Sequence, residues 1–343
     1  MKPVVIHNAS IMIDSFILSG ARILLPERVL FPGKLVAEAG VIQWVGEGEV
    51  PDLWLARVEK GEFATFDYDG SWISPILTEL HIHGAFGYGF ETAMSGEALR
   101  DLAVKMETKG VGRFLPTILW DEVAVTNLVA AIDESGLYGS TIPGIYIEGP
   151  FINPLRKGGI NLEQIHEPDV SILEKILDTC AGKLRIMTLA PELPGIEMLY
   201  PLLQKAGVMI ALGHSDAKVS TRLPPEPFSI THLFNAMSPF DHKEGGLVNI
   251  ALGDGADWVE LNADGVHVSP QAMRSALRCI DPASLILTSD AVAPAGLGFG
   301  RLESGARADL CIWSQDFSVC QRVKGCIPRD LSPDNTTVKL KRI

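Results

Sequence analysis

Six short stretches carry residue types that could do chemistry, and each closes an apolar, strand-like run. Glu79-Leu80-His81-Ile82-His83-Gly84 sets two histidines two positions apart. On a strand, residues i and i+2 point the same way, and two imidazoles at that spacing suit a divalent metal. In Gly144-Ile145-Tyr146-Ile147-Glu148-Gly149-Pro150 an apolar run ends in a carboxylate and stops at Gly-Pro, so Glu148 reads as a ligand or as a cap for the next loop. Ala211-Leu212-Gly213-His214-Ser215 and Ile230-Thr231-His232-Leu233-Phe234-Asn235-Ala236-Met237 each place a histidine at a run's end. Asn262-Ala263-Asp264-Gly265-Val266-His267 adds another, although Asp264-Gly265 reads equally as a turn. Thr288-Ser289-Asp290-Ala291 ends in a carboxylate that can take a proton from a metal-activated water and return it to a leaving group. Any one of these has a plain structural explanation. Five of the chain's eight histidines (His81, His83, His214, His232, His267) at such ends do not, and together they read as a metal site.

The elements that must position these residues show a clear rhythm from about residue 72. Apolar runs at 72–83, 111–120, 142–147, 184–190, 208–212, 228–233, 258–261 and 285–288 alternate with helical patterns. In 96–109, Leu99, Leu102, Ala103 and Met106 fall on one helical face; 170–177 and 270–280 behave alike, the latter opening on Pro270. Eight buried-type strands with intervening helices fit a (β/α)8 TIM-type barrel, in which all strand ends share one face. A doubly wound open sheet shows the same alternation. Two parts fit a barrel poorly. Segment 216–227 contains Pro224-Pro225, which leaves no clear helix, and after Thr288 no final helix is legible before the strand-like stretch 307–313. Before residue 72 the texture is that of short strands at 21–25, 34–38 and 41–45, with a hairpin turn at Ala39-Gly40. The resulting division is a small β domain built from both chain ends, 1–71 with 301–343, and a barrel over 72–300.

At 343 residues the chain is one large domain or two moderate ones. Twenty-nine Lys and Arg against 42 Asp and Glu give a net charge of -13, which argues against nucleic acid or an anionic membrane as partner. No run reaches the ~18 apolar residues of a membrane span, and the first residues do not read as a signal peptide. Five cysteines with no CxxC pair read as reduced thiols, and the protein as cytoplasmic.

The stretches HIHGAFGYGFE, GIYIEGPFINPLRKGGIN, ALGHSDA, THLFNAMSP, ELNADGVHVSP and LTSDAVAPAG, in this order, resemble the N-acetylglucosamine-6-phosphate deacetylase family of the amidohydrolase superfamily. The resemblance covers roughly residues 72–298, and RLESGARADLCIW is similar to the family's closing strand. It implies a barrel and a β-sandwich. It implies that Glu148, His214 and His232 hold the main divalent metal, and that His81 and His83 hold a second with Glu148 between them; one or two ions, zinc or iron, fit such ligands. It implies Asp290 as general base and then acid. Asn235, Ala236, His267 and Lys243 would contact an amino-sugar phosphate, and the assembly would be a homodimer.

Four departures bear on this expectation. The family's KGxHN element is Lys157-Gly158-Gly159-Ile160-Asn161, so Ile160 replaces a substrate-binding histidine. Lys243 stands for a phosphate-binding arginine and loses its bidentate fork. Glu79 stands where the family has aspartate. Only 18 positions separate Asp290 from Ala308, where the family has several tens more, so either something else closes the barrel or the site is more open. The first two changes touch substrate recognition and leave the metal residues intact. Beside hydrolysis of N-acetylglucosamine 6-phosphate stand deacetylation of a related N-acyl compound and a truncated, non-catalytic relative.

Overall fold

The computed structural model describes residues 15–296, Asp254 excepted. Their contacts divide into two units, residues 15–77 with 106–111 and residues 78–105 with 112–296.

The smaller unit is a five-stranded sheet. Strands Val41–Gly46, Val29–Glu38, Phe16–Leu24 and Ala64–Asp67 lie side by side in that order, and Trp72–Ile73 pairs with Arg22–Ile23. Alternate residues of Val29–Glu38 feed opposite faces: Leu35 and Ala37 join one apolar cluster, Val36 the other. The turn at Ala39-Gly40 has both residues at positive φ, as a tight hairpin requires. The expected single run at 72–83 is in fact two strands. Ser74-Pro75 interrupts it, because proline has no N–H to donate to a ladder. Residues 301–343, expected to complete this domain, and the expected strand at 307–313 lie outside the described residues.

The larger unit carries eight strands hydrogen-bonded in chain order. They are β1 (Leu77–Ile82), β2 (Val111–Leu119), β3 (Ile145–Glu148), β4 (Leu184–Leu189), β5 (Met209–Leu212), β6 (Phe228–Ile230), β7 (Trp258–Asn262) and β8 (Leu285–Thr288). Every pairing from β2 to β8 is parallel. The sheet closes just beyond β8: Asp290 N donates to His81 O at 2.9 Å, His83 N donates to Ala291 O at 2.7 Å, and Ile82 bridges Ala291. This is a barrel, and the open-sheet alternative is excluded. β3 is buried at all four positions, as a parallel strand covered on both sides must be.

The intervening helices start where the local chemistry says they should. Asp121 caps Glu122–Ser135 through Ala124 N, with Gly136 left-handed at its end, and Asp169 caps Val170–Thr179. Ser269 caps Pro270–Cys279, whose first residue spends its missing N–H at no cost. No helix forms between β5 and β6, in keeping with Pro224-Pro225. Among the described residues no helix is long and apolar enough to cross a membrane, and Cys180 and Cys279 are free thiols. Residues 289–296 form no helix, and the remainder of the segment in which the last helix is expected to be missing lies outside the described residues.

Candidate metal centre

The C-terminal ends of the barrel strands gather the candidate residues. His81 lies near the end of β1 and His83 just beyond it, Glu148 ends β3, and His214, His232 and Asp290 follow β5, β6 and β8 by two residues. Three of these residues sit in left-handed backbone: His214 at φ 47°, His232 at 29° and Asp290 at 49°. Non-glycine residues rarely adopt such angles, and here they turn the side chain back over the strand ends. Gly213 lets β5 reach this turn: a Cβ there would stand 2.7 Å from Thr231 Cβ.

Glu148 is the hub. Its Oε1 lies 2.9 Å from His214 Nε2 and 3.0 Å from His232 Nε2, and those two nitrogens are 3.1 Å apart. Its Oε2 lies 3.1 Å from His83 Nε2, and His81 Nε2 stands 3.5 Å from Oε1. The centre of a triangle with edges near 3.0 Å is about 1.7 Å from each corner. Donor atoms this close together are compatible with the ~2.0–2.1 Å bonds usual for zinc, so His214, His232 and Glu148 could hold one ion jointly. The protons argue the same way. His214 Nδ1 lies 2.9 Å from Arg156 O, a carbonyl that only accepts, so Nδ1 carries a proton. With Nδ1 so engaged, Nε2 is the nitrogen turned on the carboxylate oxygen, and a cation shared between the two satisfies both. The residues present therefore fit a divalent metal. They form two such groups, His81/His83/Glu148 and Glu148/His214/His232.

The charges follow this packing. Burial works against the imidazolium at His81, but the carboxylates of Asp290, Glu148 and Glu260 outweigh it and raise its pKa to about 9. At His83 burial is likewise overcome by Glu148, Glu91 and Asp290, and the value reaches about 10. Burial would raise Glu148, yet His214, His232 and His81 hold it well below the carboxylate range. Asp290 Oδ1 lies 3.5 Å from His81 Nε2 and 3.7 Å from His83 Nε2. At 24% side-chain exposure Asp290 is the cluster member most open to an incoming molecule.

The expected substrate residues are placed as follows. Asn235 turns its amide back on its own loop, with Nδ2 3.3 Å from His232 O. Ala236, at φ 47°, accepts from Ser215 N, and a Cβ on Gly158 would lie 3.5 Å from its methyl and 3.2 Å from the His214 ring. The 157–161 loop thus leans on a candidate ligand, and Ile160 within it is buried. His267 is held by Asp264, whose Oδ2 is 2.6 Å from Nδ1. Lys243 is exposed in a loop whose backbone is caught by Asp241. Among the described residues neither His267 nor Lys243 makes a hydrogen bond or ion pair with the histidine cluster.

Several outer groups escape a reading based on strand ends. Glu260, inside β7, lies 3.0 Å from His81 Nδ1, and Glu91 lies 3.1 Å from His83 Nδ1. Asn262 is fully buried with neither amide atom partnered. The one available signal was the interruption of the apolar run Trp258–Leu261 by Glu260. Glu79 is no ligand: Oε1 accepts from His81 N and Thr288 Oγ1, and Oε2 accepts from Ser289 N. Beneath the cluster, the hydroxyls of Tyr146, Thr188 and Thr231 form a closed triangle of 2.8–2.9 Å contacts.

No family model matches the chain. N-acetylglucosamine-6-phosphate deacetylase of Bacillus subtilis (strain 168) is 33% identical over 249 residues, covering 69% of this chain and 62% of that protein. The protein of that name from Bos taurus is 31% identical over 291 residues, with coverages of 80% and 70%. N-acetylgalactosamine-6-phosphate deacetylase of Escherichia coli O157:H7 is 29% identical, with coverages of 80% and 74%. The solved structure of N-acetyl-D-glucosamine-6-phosphate deacetylase from Mycobacterium smegmatis, a mutant in complex with N-acetyl-D-glucosamine-6-phosphate, is similar with a TM-score of 0.71 at 26% identity, covering 82% of this chain and 72% of that one. The chain thus spans 62–74% of the length of these relatives. An identity of 31% sustained over 80% of the sequence, on the same fold, decides the matter: the chain belongs to the N-acetylglucosamine-6-phosphate deacetylase family.

Proposed function

We propose that this chain hydrolyses the acetamide of N-acetylglucosamine 6-phosphate, giving glucosamine 6-phosphate and acetate. The observation that carries the reading is the convergence of His214 Nε2 and His232 Nε2 on Glu148 Oε1, beside the partly exposed carboxylate of Asp290. Glu148, His214 and His232 would hold one divalent ion, and His81 and His83 with Glu148 a second, zinc or iron in either place. Such an ion polarises a carbonyl and brings the pKa of water to about 7. Asp290 would accept the proton of the attacking water as the C–O bond forms. It would then give that proton to the amine nitrogen as the C–N bond breaks, and so end as it began. Asn235, Ala236, His267 and Lys243 would contact the sugar phosphate. A cytoplasmic homodimer, and a small domain completed by residues 301–343, belong to the same proposal.

A second reading, deacetylation of a related amino sugar, is favoured by Ile160. This residue is buried at 5% exposure, where the resemblance expects a histidine that can bond a hydroxyl or a phosphate. One experiment addresses both: metal content of the purified chain, with acetate release from N-acetylglucosamine 6-phosphate and N-acetylgalactosamine 6-phosphate. Metal with preferred turnover of the first sugar supports the proposal, and preference for the second moves the substrate to the alternative. A metal-free chain that releases no acetate even with added zinc overturns both.

A further inference from the structure

Glu260 has no part in the chemistry above, yet it is a carboxyl group placed inside a barrel strand. It is 1% exposed, and among the described residues its one side-chain hydrogen bond runs to His81, whose Nδ1 lies 3.0 Å from Oε2. His81 is wholly buried, and its other nitrogen, Nε2, has no hydrogen-bond partner. That nitrogen faces Glu148 Oε1 and Asp290 Oδ1, both at 3.5 Å. A cation bound at this ring displaces one of its protons, and the nitrogen that keeps the other decides what the ring can do. On Nε2 it would point an N–H at the space between two carboxylates, where the ion of the His81/His83/Glu148 group would sit. On Nδ1 it is given to Glu260, and Nε2 keeps the lone pair a cation needs. Glu148 and Asp290 both favour the first arrangement; Glu260 opposes them.

We propose that Glu260 is a positioning residue that fixes the His81 tautomer and thereby makes His81, His83 and Glu148 a working second cation site. The inference rests on the metal-hydrolase reading. It adds that occupancy of the second position is set from β7, by a residue that touches neither the ion nor the substrate.

The test is zinc titration of the metal-free full chain, comparing the wild type with E260Q and E260M. The wild type is expected to bind two zinc ions per chain. In E260M the ion at Glu148/His214/His232 should stay and the second should weaken about 10–100-fold, the usual effect of removing such an outer partner. E260Q, whose amide oxygen still accepts from Nδ1–H, should fall between the two. A purely structural role would instead lower the melting temperature with both affinities unchanged, or weaken both together. A wild type that holds only one ion, or variants that hold the second as tightly as the wild type, overturns the proposal. If E260M does not fold, an unweakened second ion in E260Q does so alone. A wild type that binds no zinc at all defeats the metal reading itself, a different outcome from loss of one ion.

Discussion

Glu148 faces the Nε2 atoms of four histidines within 3.5 Å while being 6% exposed, and the charge such a cluster carries depends on what fills it. With His81 raised to about 9 and His83 to about 10, both rings are protonated at pH 7 when no metal is bound. A cation at those nitrogens must displace both protons. Metal binding at pH 7 should therefore release about two protons from this pair, and apparent affinity should rise with pH until it levels off near 9–10. Calorimetric titration in buffers of differing ionisation enthalpy measures the release directly; zinc bound with no proton release, or more weakly at pH 8 than at pH 6, would contradict the assignment. The proposed ligands and the proposed acid–base separate under substitution. His214→Ala removes a corner of the Glu148/His214/His232 group and should abolish most bound metal and turnover together. Asp290→Asn leaves every proposed ligand in place, so metal content should hold while kcat falls about 10²–10⁴-fold, the range for loss of a general acid–base. Elemental analysis beside initial rates distinguishes them, and an unchanged kcat in D290N would remove Asp290 from the mechanism.

Glu79 shows how an element's end can depend on one side chain. Its carboxylate joins β1 to β8 through His81 N, Thr288 Oγ1 and Ser289 N, at the seam where Asp290 turns into left-handed backbone. Glu79→Ala would strand the buried donors His81 N and Ser289 N at about 1–3 kcal/mol each in the worst case, partly relieved by water, while Thr288 Oγ1 keeps His81 O at 3.1 Å, so a net loss of about 2 kcal/mol is expected. Chemical denaturation measures it, and a loss under 1 kcal/mol would mean that the seam is held by its backbone bonds alone. Much of this architecture was legible in the sequence, because buried parallel strands advertise themselves as short apolar runs and capped helices as Ser, Asp and Pro at their starts. The strand ends carrying His81, His83, Glu148, His214, His232 and Asp290 were legible for the same reason. Glu260 was not, since its partner His81 lies 179 positions away and only barrel closure brings them together. The break at Ser74-Pro75 was a local signal overridden by the length of the apolar run around it.

At the scale of the molecule, the candidate ligands come from β1, β3 and the loops after β5 and β6, so a bound ion ties together strands that the chain forms far apart in sequence. The unfolded chain has no such arrangement of donors, which makes binding energy folding energy for this unit. An ion present at 100 times its dissociation constant adds about 2.7 kcal/mol to the stability of the state that binds it. For a domain of about 200 residues each kcal/mol moves the melting temperature by about 2–4 °C, so the expected shift is about 5–10 °C. Only the unit of residues 78–105 and 112–296 holds the donors, and only its unfolding should respond. Differential scanning calorimetry before and after chelation, with zinc then restored, reads this as a transition that falls and recovers. The five-stranded sheet of residues 15–77 should melt independently of metal if its transition is resolved. A barrel transition that stays fixed under chelation and zinc alike would mean that the five side chains are a self-sufficient polar cluster, with Glu148 neutralised by protonated histidines and no need of an ion.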